Sequence, residues 1–595
     1  MTSTLILPGN SNYNIRSPAN PVVTTLDNEY NLAKAKVISL TRTADTWDKL
    51  LPYQKLCFAL VEKFTLNEEQ TLAFLLFADH HAHQVPPCFP PIRMMLGGPG
   101  GAGKSQVFDA ISEFYKQLDQ SYQLKITAPT GLAANNVGGT TTHSEASLRV
   151  KRSRMCADNK QGQTLRSNLE QRFNGCTAMI TDEIYFLGAD DNALLSQNLC
   201  IARHVNDDAS VYGNLNVLFA GDPAQLPPPM ATSLYDHTLV KCYESKSLNG
   251  LNEKTKHNVE GIIIWHQVNT CVMLKTIMRQ KDPIFQALLG RLRYGLCTMD
   301  DYIFLKSFII MNRDPETNNQ LLNITCWITN RSFASPLICY TNIVRDAHNV
   351  KAAEAFARAT GYSFHLYYAL DTVGNGRNRR ELINQAAEAA WNTPVKSAND
   401  LSGKLPIIPG MPIFITENIA TELGLSNGSQ GVLVSAKYQV HNNHRYLISV
   451  DVDIDSYNNP RNSYPHRVTL KPIKSTITYK LPGYTNVYTA TRHQVPIIPA
   501  FAYTAHNSQG RSLNAACIDI ASCPNIACAY VMLSRLRSLN NLSILRPFTF
   551  DKIHKHAPQE MRDELHRLDQ LAEDTKSRAV TQLSWYYNLT EYSII

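Results

Sequence analysis

Short apolar runs alternate with amphipathic stretches along the first half of the chain. Arg93–Leu96, Leu124–Thr127, Ala178–Thr181 and Val217–Ala220 are brief and apolar, which predicts buried strands. After Ser105 the positions Val107, Phe108, Ile111, Phe114 and Leu118 form one helical stripe. Buried strands separated by helices predict a mostly parallel α/β sheet. A second region of this kind begins near Val268, with strands near Leu337–Tyr340 and Ala516–Ile520. Between them, residues 410–493 are dense in Tyr, Val, Ile, Thr and Asn, which predicts β structure. Upstream, Trp47, Leu50 and Leu51, then Leu56, Leu60 and Phe64, recur at helical spacing, and Pro52 divides them into two short helices. Residues 1–45 are rich in Asn, Thr, Ser and Pro with weak periodicity, and predict a loosely ordered arm.

Composition narrows the class. At roughly 150 residues per domain, 595 residues suggest about four structural units. Charged residues at 18% and hydrophobic residues at 44% exclude a disordered or collagen-like chain. Lys and Arg number 57 against 50 Asp and Glu, a net charge of +7. That permits a polyanionic partner and excludes a histone-like packaging protein. The 13 cysteines include no Cys-x-x-Cys pair, and the cluster Cys517, Cys523 and Cys528 has no nearby His run. They read as free thiols in a reducing compartment, with no structural metal. Apolar runs such as Leu72–Ala78 are far below the roughly 20 residues of a membrane span. The first thirty residues carry only Arg16 as a positive charge, so neither a secretory signal nor a mitochondrial presequence is visible. The expectation is an intracellular, multidomain protein away from membranes.

The strongest local signal is Gly98-Pro-Gly-Gly-Ala-Gly-Lys104-Ser105, a full G-x-x-x-x-G-K-[ST]. An apolar strand precedes it and an amphipathic helix follows. Gly98, Gly100, Gly101 and Gly103 let backbone N–H groups turn inward on phosphate oxygens, and the helix N-terminus adds its positive end. Lys104 would neutralise the β- and γ-phosphates of ATP, and the Ser105 hydroxyl would ligate Mg²⁺. Ala178-Met-Ile-Thr-Asp182-Glu183 is an apolar strand ending in two carboxylates. Asp182 is placed to hold the Mg²⁺ shell, and Glu183 to orient or deprotonate the attacking water.

The third element, Phe219-Ala-Gly-Asp-Pro-Ala-Gln225-Leu-Pro-Pro228, resembles the coupling motif of RecD-like helicases of superfamily one, and of the Pif family in particular. Other segments follow in family order. Asn67-Glu-Glu-Gln70 resembles the adenine-reading glutamine motif. Thr127 through Ala134, with Gly139 through Ser144, resembles the first DNA-contact motif. Met278-Arg279-Gln280-Lys281-Asp282 and Tyr340-Thr-Asn through His348-Asn349 match elements further along. Tyr503-Thr504-Ala-His506-Asn507-Ser508-Gln509-Gly510 and Tyr530-Val-Met-Leu-Ser-Arg535 resemble the last two motifs. The matches span residues 64–546. Asn507 departs from the usual Lys, which removes a cation from the strand path, and Met532 stands where a small residue is commoner.

The resemblance implies an α/β fold with two RecA-like motor domains, a small wedge insertion and an SH3-like β-barrel insertion. The first motor domain would cover 46–255, with the wedge at about 145–175. The second would cover 256–409 and 494–550, with the barrel at 410–493 and a helical tail at 551–595. It implies ATP-dependent 5′-to-3′ helicase activity on single-stranded and forked DNA by a monomer. The expected setting is replication, repair, recombination or telomere maintenance, in the nucleus of a eukaryotic host, with a mitochondrial location left open. Arg279 and Arg535 would come from the second motor domain and reach the γ-phosphate, and Gln225 would couple that phosphate to the DNA. Gln70 would read adenine. Thr130, Gly131, His143, Thr504, His506, Ser508 and Gln509 would contact the nucleic acid, chiefly its phosphates.

Residues 145–175 carry seven basic against three acidic residues, and 437–492 eight against three with seven tyrosines interleaved. Those excesses of +4 and +5 fit a polyanion or an ordinary solvated face, and the tyrosines fit base stacking or barrel packing. Two other readings stay open: a remodeller that hydrolyses ATP without separating strands, and an inactive copy related to Helitron-like transposons. His80-His-Ala-His83 offers the His-x-His pair of rolling-circle nucleases, but has no room for the nuclease domain around it.

Overall fold

The computed structural model describes all residues except 1, 7–26, 42–44, 84–89, 149–154, 156–158, 208, 237–238, 240–251, 311–334, 375–377 and 591–595. Two compact units emerge, Asn14–Lys281 with Ala557–Ile595, and Met1–Tyr13 with Asp282–His556. We call them the first and second unit.

The first unit is built on a six-stranded parallel sheet. Its order is Thr140–Thr141, Leu124–Ala128, Ala178–Thr181, Asn216–Gly221, Arg93–Gly97 and Thr270–Met273. The four expected strands are all present, each lengthened by two residues at most. They read as continuous apolar runs because helices cover both faces of a parallel sheet. Helix Lys104–Gln117 lays Val107, Phe108, Ile111 and Phe114 onto the sheet and onto helix Glu68–Ala82. Pro52 opens helix Pro52–Lys63 at its first turn, where a missing N–H costs nothing.

Strand Thr270–Met273 moves a boundary. A domain edge at 255/256 is expected, but this strand pairs with Arg93–Gly97, so the first unit continues to Lys281. The tail returns to it as well. Thr575 Oγ1, on helix Gln559–Gln582, accepts from Cys271 N at 3.0 Å, and Tyr586 stacks on Phe58 at 4.6 Å. The arm at 1–45 is not uniformly loose: Asp27–Thr41 is a helix and Thr2–Ile6 a strand, while residues 7–26 lie outside the described residues. In the expected wedge, Arg149, Lys151, Arg152 and Arg154 also lie outside them. Its longest described element is helix Lys160–Phe173, on which Arg172 donates to Ser144 O and Glu145 O at 2.6 and 2.8 Å.

The second unit holds a four-stranded parallel sheet, ordered Ala502–Thr504, Leu337–Cys339, Ala516–Ile518 and Leu542–Ile544. The predicted strands at 337 and 516 are its two central members. Asn349, buried on helix Asn342–Thr360, accepts from the backbone N–H of Phe501 and Ala502 at 3.1 and 2.8 Å. The β-rich insertion is larger than 410–493 and falls into two sheets. An eight-stranded sheet joins Pro412–Ile415, Gln430–His441, His444–Ile454 and Arg467–Leu470 to strands at 2–6, 366–368, 404–406 and 497–499. A separate four-stranded antiparallel sheet runs Arg380–Glu381, Leu370–Val373, Val487–Gln494 and Ile473–Lys480. The expected class therefore stands: α/β, two parallel sheets of the RecA-like kind, and a β insertion of barrel type. No helix among the described residues is long and apolar enough to cross a membrane.

Candidate nucleotide site and motif turns

In a parallel sheet every strand delivers its C-terminal end to the same edge. Gly97 pairs in register with Gly221, and Thr181 with Phe219, so the phosphate loop, the carboxylate pair and Gly221-Asp222 emerge side by side. The loop needs its glycines. Gly101 (φ 91°) and Gly103 (φ 82°) lie in the left-handed region, and a Cβ would stand 2.5 Å from Arg279 Cβ at the first and 2.4 Å from Gln70 Nε2 at the second. Lys104 Nζ donates to Gly98 O and Pro99 O at 2.9 and 3.2 Å. Burial pushes its pKa down, the charges of Glu183, Asp222 and Asp182 oppose that shift, and Arg279 adds to it. Ser105, next on the helix, is exposed.

Asp182 N donates to Thr127 O at 2.9 Å, which ties the carboxylate pair to the neighbouring strand. Burial and the adjacent Glu183 raise the Asp182 carboxyl well above its ordinary range, while Lys104 pulls it back. Glu183 has left-handed backbone (φ 50°, ψ 42°), which costs a non-glycine residue about 1–3 kcal/mol and gathers at functional sites. Its carbonyl accepts from Phe186 N at 2.9 Å, which fixes the turn. Asp222 is buried and accepts from Ala224 N at 3.1 Å; Gln225, also buried, donates its N–H to Asp222 O at 3.0 Å. Asp222 is the residue that the motif reading left without a role. Its signal was a strand-end Gly-Asp in a chain that already had a phosphate loop. Among the described residues no group of three His, Cys, Asp or Glu forms a metal cage. A hydroxyl and one carboxylate at the end of a phosphate loop is a donor set that fits Mg²⁺, which takes few protein ligands beside substrate phosphates.

Arg279 differs from expectation, and Arg535 and Gln70 are already engaged by other groups. Arg279 belongs to the first unit: Met278 N and Arg279 N donate to Gly101 O at 2.9 and 3.2 Å. The cause is strand Thr270–Met273, which pairs beside the loop strand and lays residues 274–279 along the loop. Arg535, in the second unit, is only 1% exposed; it donates to Val531 O at 2.9 Å and Ser534 Oγ at 2.8 Å. Gln70 is fully buried. Its Oε1 accepts from Asn67 N at 3.0 Å, and its Nε2 donates to Gly103 O at 3.1 Å. The first bond is half of a capping box that starts helix Glu68–Ala82. In this arrangement Gln70 braces the loop.

The turn residues divide into caps and exposed groups. Thr130 caps helix Gly131–Asn136 by accepting from Ala133 N at 3.2 Å, and Gly131 is buried. His143 Nε2 lies 3.3 Å from Asp191 Oδ2, both partly exposed. Thr504 is buried and caps the turn Ala505–Ser508, accepting from Asn507 N at 3.3 Å. Ser508 is buried and donates to Ala505 O at 2.7 Å. His506 and Gln509 are half-buried and Asn507 is exposed. Burial, then Lys396, lowers the His506 pKa. Arg511, missed in the motif reading, stacks over Phe414 at 4.5 Å and donates to Asn507 O at 2.8 Å. The His80–His83 group is structural: His81 Nε2 meets Gln120 Oε1 at 2.8 Å, and His83 Nδ1 meets Asp79 O at 2.9 Å.

Residues 65–287 match the model of the PIF1-like helicase family. The ATP-dependent DNA helicase PIF7 of Trypanosoma brucei brucei is 25% identical over 527 residues, 81% of this chain and 46% of that protein. This chain spans about half the length of the curated helicases it matches. The crystal structure of a Pif1 helicase from Candida albicans superposes with a TM-score of 0.56 at 19% identity, covering 85% of this chain and 99% of that one. A Pif1 helicase from Bacteroides, in complex with ADP-AlF3 and ssDNA, gives 0.55 at 17% identity, covering 85% and 97%. At these identities the structural likeness shows the fold.

Proposed function

We propose that this chain is a member of the PIF1-like helicase family, whose model its residues 65–287 match, and an ATP-dependent DNA helicase, moving 5′ to 3′ on single-stranded DNA and opening forked duplexes. One observation carries the reading: the loop, the Asp182–Glu183 pair, Asp222 and Arg279 meet at one edge of one sheet, inside the stretch that matches the family.

In this reading the loop N–H groups and Lys104 hold the ATP phosphates, and Lys104 leaves Gly98 O and Pro99 O to do so. Ser105 and Asp182 hold Mg²⁺, which would neutralise charge on the phosphates. Glu183 orients the attacking water, its strained turn fixing the carboxylate in advance. Arg279, backed on Gly101, answers the charge that develops at the γ-phosphate from the same unit as the loop. Arg535 supplies the finger of the other unit once its own-helix bonds open; such fingers are worth about 10³–10⁵ in rate. Gln225 couples the phosphate to the DNA, and Gln70 reads adenine only by giving up its bond to Gly103 O. Thr130, Gly131 and Thr504 act through backbone N–H groups at their turns, while His143, His506 and Gln509 offer side chains. Ser508 acts by holding its turn.

Lys104→Ala is expected to abolish ATP turnover and unwinding while thermal unfolding is retained; normal strand separation by this variant sinks the reading. Unwinding of 5′-tailed but not 3′-tailed duplexes is the expected polarity. A second reading, an ATP-hydrolysing remodeller without strand separation, is favoured by exposed, uncharged Asn507. DNA-stimulated ATPase with no release from a forked duplex would decide for it. Any measurable ATP turnover excludes an inactive mobile-element copy. Work on nuclear DNA as a monomer is part of the proposal.

A further inference from the structure

The four-stranded antiparallel sheet of the second unit has two unlike faces. One packs Ile477, Tyr479, Ala490 and Val373 into a small core with Ala390 and Ala398. Strand pairing fixes the other: Lys474 lies opposite His493, Thr476 opposite Thr491, Thr478 opposite Thr489, and Lys480 opposite Val487. Lys474, Thr476, Thr478, Lys480 and Thr489 are exposed. Arg379 extends the row. Its Nε donates to Thr372 Oγ1 at 3.0 Å and its guanidinium meets the His493 ring. Glu381, opposite Thr372 on the far strand, is the one carboxylate among these cross-strand positions.

Lysines on an edge strand such as Ile473–Lys480 also discourage pairing with other chains. That accounts for Lys474 and Lys480 alone. Thr491 and His493 sit where strand Val487–Gln494 is paired on both sides, so no edge needs guarding there. Hydroxyls and cations together are the groups that contact nucleic-acid phosphates. The two tyrosines of these strands, Tyr479 and Tyr488, lie opposite each other, their rings 5.7 Å apart, in register with the core face. Neither tyrosine therefore lies on the cationic face to stack an unstacked base, as single-strand binding would use. Six residues of strand separate Lys474 from Lys480, about 20 Å, enough to reach across successive phosphates of a double helix.

We propose that this face is a sequence-independent docking surface for the phosphodiester backbone of duplex DNA, separate from the motif turns. The inference rests on the helicase reading for the choice of DNA as the polyanion.

The test uses the full chain with Lys474→Ala and Lys480→Ala combined, and Lys474→Arg with Lys480→Arg as the charge-preserving control. Anisotropy with a blunt duplex of about 20 base pairs reads the surface; ATPase stimulated by a short single strand reads the motor. The alanine pair is expected to weaken duplex binding roughly tenfold and to reduce the log–log salt slope by about 1.8, near 0.9 per lost phosphate contact, while the arginine pair binds like the parent. Single-strand-stimulated ATPase is expected to stay unchanged. A parent that does not bind blunt duplex, an alanine pair with parental affinity and slope, or an arginine pair as weak as the alanine pair overturns the proposal. A parent without ATPase whose duplex binding still depends on the lysines removes the helicase reading and leaves the surface standing.

Discussion

Gln70 and Lys104 reach the phosphate loop from opposite ends of its chemistry. Lys104 is a half-buried cation whose pKa burial lowers and three nearby carboxylates raise, and Gln70 is a buried amide that holds the loop's backbone. Replacing Gln70 by Ala strips partners from Asn67 N and Gly103 O, each at a half-buried helix start. Thermal unfolding should show a loss of about 1–3 kcal/mol, with ATP and GTP turnover falling together. A Gln70 whose only work is to read adenine predicts otherwise: unchanged stability, and a loss confined to ATP. Asp222 lends itself to the same kind of test. Asp222→Asn removes one of the charges that oppose the lowering of the Lys104 pKa, so the alkaline limb of a turnover–pH profile should move to lower pH.

At the scale of single elements, two buried groups carry opposite lessons about charge. Arg492 and Asp371 form a bidentate pair, 0% and 1% exposed, at 2.9 and 2.7 Å. Arg492 also donates to Leu401 O and Ala390 O at 3.1 and 2.6 Å, so one guanidinium joins a sheet, a helix and a turn. Arg492→Ala leaves Asp371 buried and unpaired, and should cost about 3–5 kcal/mol by chemical denaturation. His348, on helix Asn342–Thr360, is instead held neutral: burial lowers its pKa to about 4 from an ordinary 6.5. Between those values the unfolded chain binds the proton and the folded one does not, so stability rises with pH. Its contribution is complete above pH 6.5 and is lost as pH falls toward 4, about 3 kcal/mol in all. His348→Gln should flatten the acid limb of a stability–pH curve by that amount; an unchanged limb would refute the assignment.

Across the whole molecule, the chain leaves the first unit at Lys281 and re-enters it at Ala557. What it brings back is structural. Glu564 is fully buried and accepts from Tyr185 Oη at 3.1 Å and Trp265 Nε1 at 2.8 Å, with Arg567 beside it at 2.8 Å. Asp79 accepts from Tyr53 Oη, Trp585 Nε1 and Gln582 Nε2, each at 3.1 Å. A chain ending at His556 strands these groups and exposes the face of strand Thr270–Met273. It should lose the folded first unit, read by proteolysis and circular dichroism, and ATP turnover with it. The arrangement of Gly98–Ser105 and Asp182–Glu183 was legible because a strand, a turn and the residues after it are written consecutively. The same holds for six strands of the two parallel sheets, four in the first unit and two in the second, whose burial on two faces makes them plain apolar runs. By itself the sequence thus determined the class of fold and singled out the residues of the candidate nucleotide site. Only the tertiary structure decided that Arg279 stays with the loop, that Gln70 is already engaged, that Thr504 and Ser508 are buried, that the β insertion is two sheets, and that the tail closes the first unit. Each of these depends on which distant strand or helix wins a place beside a given residue. That contest is settled by pairing and burial between segments far apart in the chain, which local spacing does not encode.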